Sequence, residues 1–352
     1  MLKKTDNKNL KGFTLEELKA FVASVGEKPY RALQLYGWVF KKGARSIDDM
    51  TDVSKAFRAD LKERGFYLGS ANIVDTQSSS DGTIKFLLEF EDNLQVESVL
   101  IPEESRLTLC VSTQGGCVLG CAFCMTGKTG QGRDLALEEM IAEVTAAESL
   151  ARAGAIEGHV SVTNIVIMGM GEPLLNFDNV TRFLSVLTDD KALGFGPRKV
   201  TLSTAGLVPM IKKLGTLTDV NLAVSLNATT DAVRDRIMPI NKKYPLKALI
   251  AALREYPLKR RRTITIEYVL LKDINDSLDD ARRLVKLLRG IPSKINLIPF
   301  NPFPGSEFLP PERSKIDAFQ KILIDGGYFS IIRESRGADI DAACGQLSGK
   351  GS

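Results

Sequence analysis

Over the first 70 residues the apolar positions recur at helical spacing. Leu15, Leu18, Phe21 and Val22 form one stripe within residues 14–25, and Leu33, Tyr36, Val39 and Phe40 form another within residues 30–42. Thr14 followed by Glu17 has the form of a capping box at the start of the first helix. Residues 52–65 predict a third helix, so the stretch reads as a small helical domain. From residue 71 to about 102 the pattern turns to strands: IVDTQ, TIKFLLEF and LQVESVLI, separated by Asp81-Gly82 and Asp92-Asn93 turn signals. Beyond Thr108, short β-rich runs alternate with helical ones. The runs are LTLCVST, NIVIMG, KVTLST, NLAVSL, TITIEYVLL, KINLIPF and FSIIRES; helical patterns, among them 137–153, 178–187, 278–288 and 313–326, separate most of them. That alternation predicts a parallel sheet with helices outside it. About six or seven βα units are too few for a closed eight-fold barrel and predict an open, partial one. The expected architecture is α/β: a helical domain at 1–70, a small β-rich linker at 71–105, a partial barrel at 106–346 and a tail at 347–352.

Composition changes this picture little. A chain of 352 residues, 44% hydrophobic and 26% charged, is an ordinary globular sequence large enough to bury a sizeable core. Its start, MLKKTDNKNLKGF, lacks the apolar segment of a secretion signal, and no apolar run approaches the roughly 18–20 residues of a membrane span. Five cysteines are too few and too unevenly placed for a disulfide scaffold, so a cytoplasmic protein is expected. Net charge is only +4, yet residues 1–70 hold 14 Lys/Arg against 9 Asp/Glu, or +5, leaving −1 for the rest. The helical domain is the basic part. A solvated helical surface explains that charge as well as an RNA partner does, until another feature points to RNA.

The chemistry enters with the cysteines. Cys117, Cys121 and Cys124 are spaced C-x3-C-x2-C in GGCVLGCAFCM. Structural zinc takes four Cys or His ligands, and the one histidine, His159, reads as a loop surface residue beside a glycine. Thiolates are the usual ligands of iron–sulfur clusters, so a 4Fe–4S cluster is the better fit. Three ligands for four irons leave one iron open to a substrate or cofactor. Thr126-Gly127-Lys128-Thr129 imitates a phosphate-binding loop, but the glycine such a loop needs earlier falls on Ala122. Downstream, a strand runs into Gly169-Met170-Gly171-Glu172-Pro173, where glycines permit close backbone approach and a carboxylate can accept from an ammonium group. Ser203 and Ser225 lie near the ends of the next two strands, where barrel-type sites are built.

The cysteine spacing, with an aromatic before the last cysteine, resembles the radical S-adenosylmethionine (SAM) superfamily. Over nearly its whole length the chain resembles the RlmN/Cfr family of radical SAM RNA methyltransferases. EKPYRALQLYGWVF, VESVLIPEESRLTLCVSTQGGC, MGMGEPLLN, MPIN, NLIPFNPFPGSEF and RGADIDAACGQL carry the likeness, and MGMGEPLLN and IPFNPFPGS favour the RlmN branch. The resemblance implies SAM contacts at Gly171, Glu172, Ser203, Ser225, Leu226, Asn227 and Asn301. Asn227 departs from the family pattern, which often has histidine there.

The resemblance also implies catalysis by two further cysteines, each of which would otherwise read as a small buried hydrophobe. Cys344 would take a methyl group from one SAM; a radical made from a second SAM would remove hydrogen from that methyl, and the carbon would add to carbon 2 of adenine, a poor nucleophile. Cys110 would then attack the sulfur of Cys344, forming a transient disulfide as the product leaves. Glu97 matches the residue proposed to move protons. The implied substrates are adenosine in the peptidyl-transferase region of 23S ribosomal RNA and, beside the anticodon, transfer RNA. The implied cofactors are one cluster per chain and two SAM per turnover, with a flavodoxin-type reductase as electron donor, no membrane, and a monomer. The helical domain and Lys259–Arg262 are candidate phosphate contacts. Rival readings are Cfr-like methylation at carbon 8, another radical SAM reaction, and a non-catalytic iron–sulfur protein that binds RNA or senses redox state.

Overall fold

The structure, a computed structural model, describes residues 8–130 and 132–349. The first seven residues and the last three of the expected tail lie outside the described residues. Helix α1 (Leu15–Ser24) begins at the predicted box: Glu17 N donates to Thr14 Oγ1, and Thr14 N donates to the Glu17 carboxylate at 2.8 Å. Helix α2 (Tyr30–Tyr36) continues into a π-helical turn at Gly37–Lys41, which keeps Val39 and Phe40 buried alongside Leu35 and Tyr36. Helix α3 (Lys55–Glu63) is capped by Ser54 and buries Phe57 and Leu61.

The remaining elements follow in chain order: β1 (Asn72–Ser78), β2 (Ile84–Glu89), β3 (Gln95–Glu103), β4 (Arg106–Val111), α4 (Met125–Thr129), α5 (Leu137–Arg152), β5 (Asn164–Ile167), α6 (Phe177–Thr188), β6 (Val200–Thr204) and α7 (Val208–Gly215). After them come β7 (Asn221–Ser225), α8 (Asp231–Ile237), α9 (Leu246–Arg254), β8 (Ile264–Leu270), α10 (Leu278–Leu287), β9 (Ser293–Pro299), α11 (Arg313–Asp325) and β10 (Phe329–Ile332). Every strand run read from the sequence is a strand. All ten join one sheet in sequence order, antiparallel from β1 to β4 and parallel from β4 to β10. Leu109, Ile165, Leu202, Ile266 and Leu297 on the outer face are fully buried against the helices. The inner face is polar, with Ser225, Glu267 and Asn296 in register across β7, β8 and β9.

The segment expected as a linker belongs to this sheet. β3 pairs with β4, Val99 opposite Cys110 and Glu103 opposite Arg106, so the boundary drawn at 105 falls inside a hairpin. An uncovered β4 would expose an unpaired edge, and the meander removes it. The barrel is open, because β1 and β10 do not pair. The gap is bridged by polar contacts: Ser79 Oγ and Ser80 N donate to Asp339 (2.5 and 3.0 Å), and Gly337 N donates to Asp81 (3.0 Å). The helical segment rests on the outer layer, where Arg182 of α6 donates to Gly12 O (2.5 Å) and to Glu17 (2.8 Å). Among the described residues no helix is long and apolar enough to cross a membrane.

Candidate active site

The cysteine loop follows the C-terminal end of β4 and ends as Cys124 caps α4. It is folded by its own backbone: Cys117 N donates to Gly130 O (2.9 Å), Cys124 N to Cys121 O (3.1 Å) and Ala122 N to Ile237 O (3.0 Å). Burial pushes all three thiols up, Cys117 to about 11, and each of Cys117 and Cys121 is raised further by the charge of Cys124. On their own these thiols keep their protons, since three neighbouring anions in a half-buried loop repel one another. Among the described residues no three His, Cys, Asp or Glu side chains gather as a single metal ion would require. Thiolates are the usual ligands of iron–sulfur clusters, whose ligands go to different irons, and the three thiols lie close enough to feel one another's charge.

The loop after β5 lies beside this one. Gly169 N donates to Val111 O (3.0 Å) and Thr113 N to Met170 O (2.8 Å), extending the β4–β5 ladder past the strand ends. Gly171 has φ +97°, and a Cβ there would stand 2.6 Å from the Gln114 side chain, so only glycine fits. Glu172 is buried, and its carboxylate accepts from Leu174 N (3.0 Å), Thr204 Oγ1 (2.7 Å) and Ala205 N (2.7 Å). Burial outweighs these bonds and raises its pKa. Oε1 accepts two of these bonds and Oε2 only one, so Oε2 keeps lone-pair capacity for an ammonium donor.

Ser203 donates to Glu267 at 2.9 Å, and Ser225 and Leu226 offer main-chain carbonyls at the end of β7. Asn227 has φ +57° and no exposure. Its side chain is spent internally, Oδ1 accepting from Val269 N (2.8 Å) and Nδ2 reaching Met238 Sδ (3.3 Å). Asn301 binds the C-terminal segment: its Nδ2 donates to Cys344 O at 3.0 Å, and its Oδ1 accepts from Ser335 Oγ.

Cys110 and Cys344 are 234 positions apart in the chain, yet both stand in the field of one buried carboxylate, Glu267. Cys344 is solvent-accessible yet surrounded by protein, as a residue lining an open cavity is. Burial raises its thiol pKa, followed by the charges of Glu267, Cys124 and Cys110. Burial likewise lifts Cys110 to about 12, with Glu143 and Glu267 adding to it. The Cys344 segment is pinned along its length. Met125 N donates to Gly345 O (2.7 Å), Thr126 Oγ1 to Leu347 O (2.6 Å) and Gln346 Nε2 to Pro302 O (2.9 Å).

Glu97 is buried on β3, and it grips the end of that segment. Its Oε2 accepts from Ser348 N (2.6 Å) and Gly349 N (3.0 Å), while Lys85 Nζ stands 3.1 Å from Oε1. The carboxylate whose charge acts on both thiols is Glu267, its own pKa raised by burial, and sequence reading missed it inside an apolar strand. A second missed residue is Arg234, wholly buried behind the loops. A lone charged residue inside the apolar run ITIEYVL was the available signal for Glu267, whereas Arg234 sits among the other charges of DAVRDRI and gave none.

Two expected surface features lie on the far rim. His159, in the α5–β5 connection, and residues 259–262, in the α9–β8 connection, precede parallel strands, whereas the cysteine loop follows one. Lys259 pairs with Asp219 and Arg262 donates to Asn221 at 2.5 Å. The run of charge at 259–262 is therefore not beside the candidate site.

Comparison with known proteins agrees with this geometry. Residues 8–66 match the Ribosomal RNA large subunit methyltransferase N-terminal domain, and residues 111–287 match the Radical SAM superfamily. The chain is 50% identical over 342 residues to the dual-specificity RNA methyltransferase RlmN of Geotalea uraniireducens, covering 97% of each. It is 51% identical to the RlmN of Geobacter sulfurreducens, covering 97% of this chain and 92% of that one. A crystal structure of a radical SAM methyltransferase from Sphaerobacter thermophilus superposes with a TM-score of 0.89 at 42% identity, covering 98% of this chain and all of that one.

Proposed function

Because this chain belongs to the RlmN family of radical SAM RNA methyltransferases, we propose that it methylates carbon 2 of adenosine in 23S ribosomal RNA and in transfer RNA through a methylated Cys344. The observation that carries the reading is the docking of the Cys344 segment on the end of the cysteine loop, Met125 N donating to Gly345 O and Thr126 Oγ1 to Leu347 O, with Cys110 and Glu267 near enough for their charges to raise the Cys344 thiol. Core packing gives no reason to bring two thiols from opposite ends of the chain to one carboxylate.

Cys117, Cys121 and Cys124 hold the cluster, and Gly171, Glu172, Ser203, Ser225, Leu226 and Asn301 line the SAM pocket; Asn227 serves it through its backbone, its side chain being engaged elsewhere. When bound, the cluster supplies one electron, and SAM supplies both the methyl group and the radical. Cys344 Sγ acts as the nucleophile, which requires loss of its proton. Glu267 is the base for that proton, being the carboxylate first felt by Cys344. At the end of the cycle the Cys110 thiolate attacks Sγ of Cys344. The Sγ–carbon bond breaks, its electron pair stays on the carbon, and that carbon takes a proton to complete the new methyl group. The resulting Cys110–Cys344 disulfide is reduced by an external thiol before the next turnover. Glu97 serves by holding the Cys344 segment and lies next to Ser112 on the strand that carries Cys110.

The RNA duplex is read by shape and backbone while the target base is splayed into the barrel. An external flavodoxin-type donor provides the electron. Five free thiols support a reducing, cytoplasmic setting, and a single chain carries every residue named here, which supports a monomer. The test is mass spectrometry of a 23S fragment and a transfer RNA after incubation with reconstituted protein, SAM and reductant. 2-Methyladenosine is expected in both; 8-methyladenosine, or no methylated adenosine, overturns the reading.

A further inference from the structure

Among the described residues, Arg234 is the largest side chain with no exposure at all. It lies on α8, one turn before Ile237, whose carbonyl accepts from Ala122 N in the cysteine loop. Its guanidinium is a fork that ties three strand-end carbonyls together. Nη2 donates to Ala205 O after β6 (2.7 Å) and to Ser225 O at the end of β7 (3.1 Å), and Nε donates to Leu226 O (2.9 Å). Ala205 is the residue whose N–H binds Glu172 from its other side. The remaining nitrogen, Nη1, donates to Asn241 Oδ1 (3.1 Å), the asparagine of MPIN. Asn241 passes the contact on through its Nδ2 to Asp235 (2.7 Å) and Asp231 (3.0 Å).

The hydrogen bonds of Arg234 thus go to neutral acceptors, and its two aspartates stand one side chain away. A buried cation kept from direct carboxylate contact is costly unless some other negative group compensates it. The cysteine loop is bonded to the same helix through Ala122 N and Ile237 O, next to Cys121, a proposed ligand of the cluster. Burial lowers the Arg234 pKa only to about 10, so the charge persists at neutral pH. The position of the charge therefore needs its own explanation.

We infer that Arg234 is a positioning residue with two functions: its fork fixes the SAM-facing ends of β6 and β7, and its fixed charge stabilises the reduced cluster beside Cys121. The reduced cluster carries one more negative charge than the oxidised one, so a desolvated cation nearby favours reduction. The inference rests on the cluster and SAM assignments above, but on neither the RNA substrate nor methyl transfer.

The experiment compares reconstituted wild type with Arg234→Gln and Arg234→Lys. It measures iron and sulfide per chain, the cluster midpoint potential by EPR-monitored titration, and SAM affinity by calorimetry. Arg234→Gln should hold a full complement of iron, shift the midpoint to more negative potential and weaken SAM binding about tenfold, the effect of one charge-assisted hydrogen bond. Arg234→Lys keeps the charge but loses the fork, so its potential should stay near wild type while SAM binding weakens. This split between the two variants is what simple packing would not produce. A Gln variant with full iron and unchanged potential overturns the charge role, and unchanged SAM affinity in both variants overturns the fork role. Should the Gln variant fail to hold iron, the Lys variant decides: iron retained at near wild-type potential supports the charge role, and iron lost there too overturns it. None of these readouts uses RNA, so a wrong substrate assignment would leave them intact and show itself only in the methylation assay.

Discussion

At the scale of single residues, the proposed mechanism gives the two thiols different tasks, so they should fail differently. Cys344→Ala removes the sulfur that carries the methyl group, so methylation should vanish. Cys110→Ala leaves loading and addition possible but no thiolate to release the product. A covalent protein–RNA adduct should accumulate, seen as a slow-migrating band that RNase trims and reductant leaves intact. Free methylated RNA at the normal rate from Cys110→Ala would contradict the two-cysteine mechanism. Glu267 adds a pH signature. Burial raises its pKa above the ordinary glutamate range, and only its ionised form accepts a proton. Methyl loading of Cys344 should therefore rise with pH through an ionisation above about 4.3. Glu267→Gln should lose that limb and load about 100-fold more slowly. A variant that keeps both the limb and the rate would remove Glu267 from the chemistry.

At the scale of elements, the segment from Gly337 to Gly349 behaves as a strap across the open side of the barrel. Asp81 and Asp339 fasten one end, Asn301, Met125 N and Thr126 the middle, and Glu97 the other end. Gly345 has φ +86°, and a Cβ would sit 3.0 Å from Phe123 O, so the strap's turn at Cys344 depends on glycine. Gly345→Ala should leave iron content intact but sharply reduce methyl loading, read from the intact-protein mass. Full loading in that variant would show that the turn does not position the thiol. Glu97→Ala should release the strap's end and leave Lys85 buried without its anion. Removing one partner of such a pair costs about 3–5 kcal/mol, so the melting temperature should fall clearly. Unchanged melting, together with unchanged hydrogen exchange over residues 344–349, would show that the clamp holds nothing.

At the scale of the whole molecule, the orientation of the parallel strands decides which charges can face RNA. Arg260 and Arg261 are exposed but lie on the rim opposite the cysteine loop. Replacing both by Ala should leave RNA affinity and its salt dependence unchanged. Replacing exposed Lys28 and Arg45 in the helical domain should instead make the salt slope shallower, by somewhat less than one for each phosphate no longer neutralised. The reverse result would move the RNA surface to the far rim. Much of this protein was legible in its sequence. Period-two and period-3.6 patterns are local, and the covalent spacing of Cys117, Cys121 and Cys124, the glycines around Glu172 and the Thr14–Glu17 cap need only a few neighbouring residues. Those features marked all ten strands, the open barrel and the start of α1, and singled out the cysteine loop. The antiparallel meander could not be told from a separate linker, because hydrogen bonding between β3 and β4 leaves no trace in either strand's pattern. Nor could the sequence tell that Glu97 holds a strap, that the Asn227 side chain turns away, or that Glu267 and Arg234 face the cysteines. Those roles depend on which side of the sheet a side chain enters and on what arrives there from residues tens or hundreds of positions away, and only closure of the barrel brings those partners together.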